Sequence, residues 1–299
     1  MQIYRHVPLS NRAPLALAIG NFDGLHLGHQ ALLAKLVGVA NQQQLKPAVM
    51  TFEPHPREFF SPQNAPTRLS SMREKLEYFD EAGVKDVFVL RFNHAFSAIT
   101  SQDFMHKVLR KSLNANTILV GGDFCFGAKR QGTVQDLIGN GFDLIDFPQV
   151  EANGERVSST LVRHALAAGD LKQAYHFLSR PYSISGKVVH GAKRGKQLGY
   201  PTANVHMRHE RPALTGVYAV KLDGRNGVAN LGVRPTIAGI PKLMLEVYVI
   251  DFNGNLYDQH VHVQFFHKIR DEMKFEGLDA LKAQIALDVT SAQDFFKHI

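Results

Sequence analysis

Two histidines three residues apart, His26 and His29, stand in the stretch Gly20–Gln30, GNFDGLHLGHQ. An apolar run, Leu15–Ile19, precedes them and reads as a short buried strand. Leu32, Leu33, Leu36, Val37 and Ala40 follow on one face of a helical pattern. Spacing of i,i+3 puts both imidazoles on one face of the helix's first turn. Free N–H groups at a helix start already favour an anion there. Gly20, Gly24 and Gly28 let the connecting backbone turn tightly and approach a ligand. With Asn21 and Asp23 alongside, the arrangement suits a polyphosphate undergoing substitution. The chain has 15 histidines, so a solvated pair or a satisfied polar contact is the competing reading. Zinc is a further option, but it takes three or four ligands and no third is spaced to join this pair.

Strand, HxGH and helix in that order is the pattern of nucleotidyltransferases, which move a nucleoside monophosphate from a triphosphate. Neither a Walker A loop nor a GxGxxG is present. Three further segments could complete such a site. In TFEPHP, His55 lies between Pro54 and Pro56, so its backbone is stiff and extended; a rigid turn with an exposed histidine fits equally. In VGGDFCFGAKRQG, Asp123 could bind ribose or adenine polar groups, and Phe124 and Phe126 could line a planar ligand. The alternative is a strand-end loop with a hydrophobic anchor. In SSTLVR, Ser158 or Ser159 can cap a helix, so that Arg163 projects beside free N–H groups where departing phosphates would sit.

The second half carries a different set. GKVVHGAKRGKQLGYPTANV, Gly186–Val205, places four glycines and several cations between strand-like pieces, as in a loop that wraps phosphates. In an extended chain Thr202 and Asn204 of PTAN point to the same side. Both are oxygen donors suited to Mg²⁺; a capped turn is the plainer reading. Glu246 lies between Leu245 and Val247. Pointing inward from a barrel strand, it could take a proton from a substrate hydroxyl. Otherwise it lies on the wet face of an alternating strand.

The elements that must hold these residues follow from periodicity. The 299 residues are 44% apolar, enough for two domains with their own cores. Strand candidates Leu15–Ile19, Pro47–Phe52, Val84–Leu90, Thr117–Gly121 and Phe142–Phe147 alternate with helical segments near 29–40, 71–82, 101–112 and 133–139. Ser71 with Glu74 reads as a capping box, Gly83 as a helix stop and Ser101 as another N-cap. Such alternation argues for an α/β fold, a parallel sheet with helices on both faces. After Arg180-Pro181 the runs become short and β-rich: Tyr182–His190, Gly216–Leu222, Gly227–Leu231, Leu243–Ile250 and Val261–Phe266. They suggest an antiparallel barrel, followed by a helical tail from Leu278 to Ile299. The expected domains are therefore 1–180 and 181–299. One cysteine, Cys125, fits a reducing cytoplasm, and MQIYRHVPLS lacks the apolar core of a signal peptide. Net charge of +7 favours anionic partners, but it is dispersed, so small phosphorylated molecules are expected rather than nucleic acid, and no membrane span is expected.

Together, GNFDGLHLGH, TFEPHP, VGGDFCFG, SSTLVR, RPYSISGKVVHGAKRGKQLGYPTANV, GVANLGVRPT, LEVYVIDF and FHKIRDEMKF resemble the bacterial bifunctional riboflavin kinase/FAD synthetase family over almost the whole chain. The resemblance implies a Rossmann-like domain that adenylylates FMN to FAD with release of pyrophosphate. It also implies a barrel that phosphorylates riboflavin to FMN with release of ADP. Both would use ATP and Mg²⁺. His26 and His29 would stabilise the ATP phosphates. Gly20, Asn21, Phe22, Asp23, Gly24, His55, Asp123 and Phe124 would shape the nucleotide and flavin site, with Ser158, Ser159, Thr160 and Arg163 on the phosphate side. In the kinase half Thr202 and Asn204 would hold the metal and Glu246 would be the base. Gly191, Lys196, Gly199, Tyr200, Pro201 and Asn230 would lie around the substrates, and Arg270 near the flavin. Gly122 and Tyr248 depart from the usual pattern, where a larger residue and a histidine are expected. Two rivals remain at this level: a nucleotidyltransferase for another small phosphate, and a non-catalytic flavin- or RNA-binding protein.

Overall fold

The computed structural model describes residues 1–8, 13–152, 154–191, 195, 198–207, 212–234 and 242–298. They form two compact units, one of Met1–Pro66 with Met72–Val157, the other of Thr67–Ser71 with Ser158–Ile299.

The first unit is built on strands β1 (Gln2–Tyr4), β2 (Leu15–Ile19), β3 (Lys46–Glu53), β4 (Asp86–Arg91) and β5 (Ala115–Gly121). A short hairpin, β6 (Cys125–Phe126) with β7 (Gly132–Thr133), precedes β8 (Asp143–Phe147), and a second pairs β9 (Glu151–Ala152) with β10 (Glu155–Arg156). The main sheet runs β1-β4-β3-β2-β5-β8, all parallel. Helices α1 (Leu27–Gln42), α2 (Pro56–Phe60), α3 (Met72–Glu81), α4 (His94–Ser97), α5 (Ser101–Asp103) and α6 (Val134–Gly139) connect the strands, α5 continuing into a π-wound segment, Phe104–Ser112.

Strand parity decides which layer each residue joins. Leu15, Leu17 and Ile19 pack with Phe104, Met105, Val108, Leu109 and Leu137 on one face. Ala16 and Ala18 pack with Leu32, Leu33, Leu36 and Phe79 on the other. The expected doubly covered parallel sheet is therefore present. Helix α3 ends as expected at Gly83, whose φ of 87° is left-handed. Gly83 N–H donates to the Asp80 carbonyl and Val84 N–H to that of Phe79. The expected cap at Ser101 lies one residue early: Thr100 is extended, and its hydroxyl accepts from Asp103 N–H at 3.1 Å. Strand β1, an edge strand of three residues, carries too short a pattern for sequence to show. From β2 the chain builds outward through β3 and β4, then returns to place β5 on the other side of β2. The carboxyl ends of β2 and β5 thus form a topological switch point, where open sheets of this kind bind ligands.

The second unit begins with α7 (Ser159–Ala167) and α8 (Leu171–Leu178), capped by Ser158 and Asp170. A closed antiparallel barrel follows: β11 (Tyr182–Val189), β12 (Thr202–His206), β13 (Gly216–Leu222), β14 (Arg225–Arg234), β15 (Lys242–Val249) and β16 (His260–Arg270), in the order β11-β12-β15-β14-β13-β16. In PTAN, Thr202–Asn204 is extended rather than a capped turn: all three residues pair with β15, and Asn204 also pairs with Val189 of β11. Leu245, Val247 and Val249 are buried, as are Val261, Val263 and Phe265. On the outer surface Val217, Ala219 and Val228 pack under the C-terminal helix α9 (Leu278–Lys297) through Ala292, Val289, Phe295 and Phe296. Arg270 on β16 fastens that helix: its Nε and Nη2 donate to the Asp288 carboxylate at 2.9 and 2.8 Å.

Candidate active sites

The loop from β2 into α1 holds an unusual backbone. Phe22 (φ 49°) and Leu25 (φ 40°) occupy the left-handed region, as does Gly24 (φ 80°). Left-handed conformation costs a residue with a side chain about 1–2 kcal/mol. Both side chains are fully buried, Phe22 edge-on to Phe79 with centroids 5.3 Å apart. Burying each contributes about 1.5–3 kcal/mol, which offsets the strain. The ring of Phe22 thus faces the core, and any ligand contact of this residue runs through its main chain.

His26 is the N-cap of α1, and His29 follows one turn later. Their rings stack with centroids 3.8 Å apart and planes 19° from parallel. This juxtaposition at the switch point is the one expected from HxGH. His26 is nearly buried, as is Asp23. Behind them the Asn21 carbonyl accepts from Lys75 Nζ at 2.9 Å and from the Thr51 hydroxyl at 3.4 Å. The Asn21 side-chain oxygen is buried with no hydrogen-bond partner among the described residues. Neither Lys75 nor Thr51 was legible as a site residue: one looks like a solvated helix lysine, the other like a strand filler.

Other expected residues of the first unit follow β3 and β5. Past the end of β5, Asp123 is exposed and lies 3.5 Å from Arg156 Nη2. Phe124 stacks on Phe126, and Phe126 packs on Phe104 in a series continuing through Phe96, Phe92 and Phe59. Phe104 and Phe126 are buried in the core, while Phe124, Phe96, Phe92 and Phe59 are half-buried. His55 is a helix cap rather than a loose exposed histidine. Its Nδ1 accepts from Arg57 N–H at 3.1 Å, and its own N–H donates to the Glu58 carboxylate at 3.2 Å. Ser158, Ser159, Thr160 and Arg163 belong to the second unit. The Ser158 hydroxyl accepts from Leu161 N–H at 3.3 Å, and Arg163 Nε donates to the Thr67 carbonyl at 2.6 Å.

In the barrel, register assembles what sequence spacing leaves apart. Glu246 on β15 stands directly opposite Asn204 on β12 and Asn230 on β14. Residues in such cross-strand register share one face. Leu245 and Val247, either side of Glu246, are fully buried, so the acid points to the outer surface rather than into the barrel. The expectation of an inward acid is corrected by period-2 alternation: Glu246 is half-buried on the outward face of β15. Asn204 is buried, and its Oδ1 has no hydrogen-bond partner among the described residues. A Cβ on Gly191 would lie 2.4 Å from Asn204 Nδ2, so only glycine lets this amide lie against the chain.

Thr202 stands opposite Tyr248, whose ring meets Tyr200 edge-on at 5.3 Å. Burial, then Asp251 and Tyr200, raise the Tyr248 phenol above its usual range. Gly199 (φ 88°) turns the chain into Tyr200 and the exposed Pro201. Arg270 is held by Asp288 and donates from Nη1 to the Asp271 carbonyl at 3.0 Å. Its guanidinium carbon lies 5.7 Å from the Phe275 ring centroid. Lys196 lies outside the described residues.

Comparison with known proteins gives the same division of labour. A family profile described as FAD synthetase matches residues 9–161, and one described as riboflavin kinase matches residues 178–296. A bifunctional riboflavin kinase/FMN adenylyltransferase of Haemophilus influenzae is 43% identical over 99% of each chain. The protein of that name from Escherichia coli K12 is 44% identical over 99% of this chain and 98% of its own. A solved structure described as a macrolide-efflux protein from Streptococcus pneumoniae superposes with a TM-score of 0.81 at 30% identity, covering 98% of this chain and 99% of that one. The chain belongs to the family of bifunctional riboflavin kinase/FMN adenylyltransferases.

Proposed function

We propose that this chain converts riboflavin to FMN on the barrel and FMN to FAD at the switch point of the parallel sheet, using ATP each time. The two activities part near residue 180, between α8 and β11. One observation supports this reading: the polar groups at the switch point of the sheet and those in the cross-strand row of the barrel differ in kind. A carboxylate stands in the barrel row, where the nucleophile is a neutral hydroxyl. Stacked imidazoles stand at the sheet, where the nucleophile is already an anion.

In the first step the ribityl hydroxyl gives its proton to Glu246 and its oxygen attacks the γ-phosphorus of ATP, breaking the bond to ADP. A positioned base of this sort is worth about 10²–10⁴-fold. Asn230, in register with Glu246, is assigned to orienting the ribityl chain. The orphaned Oδ1 of Asn204 and the hydroxyl of Thr202 fit a magnesium ion, with Gly191 keeping the amide in place. When bound, the ion neutralises charge on the transferring phosphates.

In the second step an FMN phosphate oxygen attacks the α-phosphorus of ATP and pyrophosphate leaves. His26 and His29 donate to the charge that develops there. The half-buried rings of Phe124, Phe96, Phe92 and Phe59 suit the flat flavin ring, and Asn21, Asp23 and Asp123 suit polar groups of the nucleotide. The lone Cys125 fits a reducing cytoplasm. Among the described residues no helix is long and apolar enough to cross a membrane.

The test separates FMN and FAD chromatographically after incubation with riboflavin, ATP and Mg²⁺. His26→Ala lowers FAD formation by about 10²–10³-fold, the cost of one transition-state donor, while FMN accumulates at the parent rate. Glu246→Gln slows FMN formation by about 10²-fold or more and leaves conversion of supplied FMN intact. Absence of both flavin products from the parent chain, or loss of both activities in each folded variant, refutes the assignment.

A further inference from the structure

The geometry points to Lys75 as the residue that positions the HxGH loop for adenylylation. Lys75 lies on α3 and is 4% exposed. Its ammonium ends 2.9 Å from the main-chain carbonyl of Asn21, across 54 positions of sequence. That carbonyl belongs to the peptide entering Phe22, the first of the left-handed residues Phe22, Gly24 and Leu25. Immediately after them His26 caps α1 and begins the stacked pair. Lys75 therefore grips the loop on the peptide where its strained course begins, and the Thr51 hydroxyl touches the same oxygen more weakly, at 3.4 Å.

A buried cation is costly unless a strong acceptor meets it. A lysine used only for packing would be replaceable by an apolar chain of its length. Here the ammonium meets a carbonyl whose orientation fixes the next peptide, and hence where α1 starts. Burial keeps Lys75 from substrate, so it acts through the loop: it is a positioning residue. Displacing catalytic groups by about 1 Å costs about 10²-fold in rate even when every reacting group is kept.

This inference rests on the placement of adenylylation at His26 and His29, so the experiment includes His26→Ala as a reference. Full-length Lys75→Met, Lys75→Gln and Lys75→Arg chains are assayed for adenylylation of supplied FMN and for phosphorylation of riboflavin, and their thermal midpoints are recorded. Lys75→Met is expected to lower adenylylation kcat by about 10²-fold, with KM for FMN changed less than about threefold and kinase turnover within about twofold. Lys75→Arg, which keeps charge and reach, recovers at least about tenfold of that loss.

A folded Lys75→Met chain with near-parent kcat overturns the role, as does a Lys75→Arg chain no better than it. Should Lys75→Met fail to fold, Lys75→Gln is judged by the same thresholds. Failure of both to fold makes Lys75 a folding residue and also overturns the inference. If His26→Ala keeps full adenylylation, the site assignment falls. If His26→Ala is inactive and Lys75→Met is not, only the present inference falls.

Discussion

Replacing Gly191 by alanine probes the kinase site through one added carbon. The new Cβ would stand 2.4 Å from Asn204 Nδ2 and 2.5 Å from both Cγ and Oδ1, where ordinary contact begins at 3.4 Å. The shortfall, 3.4 minus 2.4, is 1.0 Å, so the amide must move by about that much. The atoms in the way end a short side chain, so rotation relieves the clash and the fold survives. What moves is Oδ1, the buried oxygen assigned to the metal-bound nucleotide. Misplacement by about 1 Å is worth about 10²-fold, or about 2.7 kcal/mol of transition-state stabilisation. Riboflavin phosphorylation, followed by FMN release on a reversed-phase column, is expected to fall by that factor in kcat/KM. Adenylylation of supplied FMN stays within about twofold, since no group of that reaction is touched. The thermal midpoint moves by a few degrees at most. A folded Gly191→Ala chain that phosphorylates riboflavin at the parent rate refutes the assignment of Asn204.

Two stability predictions concern the barrel unit. Asp288→Ala removes the buried acceptor of Arg270 and is expected to destabilise that unit by about 3 kcal/mol, the lower end for breaking a buried ion pair, because Arg270 remains 20% exposed. A urea midpoint within error of the parent's would contradict this. Burial, with Asp271 nearby, raises the Tyr218 phenol from 10.0 to about 12. The folded chain keeps this proton where the unfolded chain releases it, so the group's contribution is complete below pH 10 and is lost as pH rises toward 12. Urea unfolding at a series of alkaline pH values should show stability falling across that window, with a shallower fall in Tyr218→Phe. Equal slopes would mean that the phenol is not responsible.

What sequence could show follows from what acts locally. The strands Leu15–Ile19 and Gly216–Leu222 fall where alternation or an apolar run marks them, because period and burial are written in neighbouring residues. HxGH was legible because its parts are adjacent in the chain. Strand β12 was not, since Thr202 and Asn204 look like turn residues until β15 pairs with both and β11 with Asn204. Glu246 could be read as an acid among apolar neighbours, but its face depends on which neighbours fill the barrel. The alignment of Asn204, Glu246 and Asn230 is a matter of cross-strand register, which no local pattern encodes. Lys75 was hidden for a similar reason, its acceptor lying 54 positions away. The one-residue error at Ser101 arises because Thr100 and Ser101 are both good caps, and only backbone angles choose between them.

Because the acid of β15 stands outside while Leu245 and Val247 fill the inside, the kinase is sensitive to a kind of damage that substitution scans do not sample. Deleting one codon just upstream within this strand would leave every proposed functional group encoded. It would nonetheless turn the carboxylate toward the interior and an aliphatic chain toward the riboflavin, unless a bulge absorbed the slip. Short in-frame losses should therefore be far harsher here than in the Asp223-Gly224 turn, even where the missing residue itself does no chemistry.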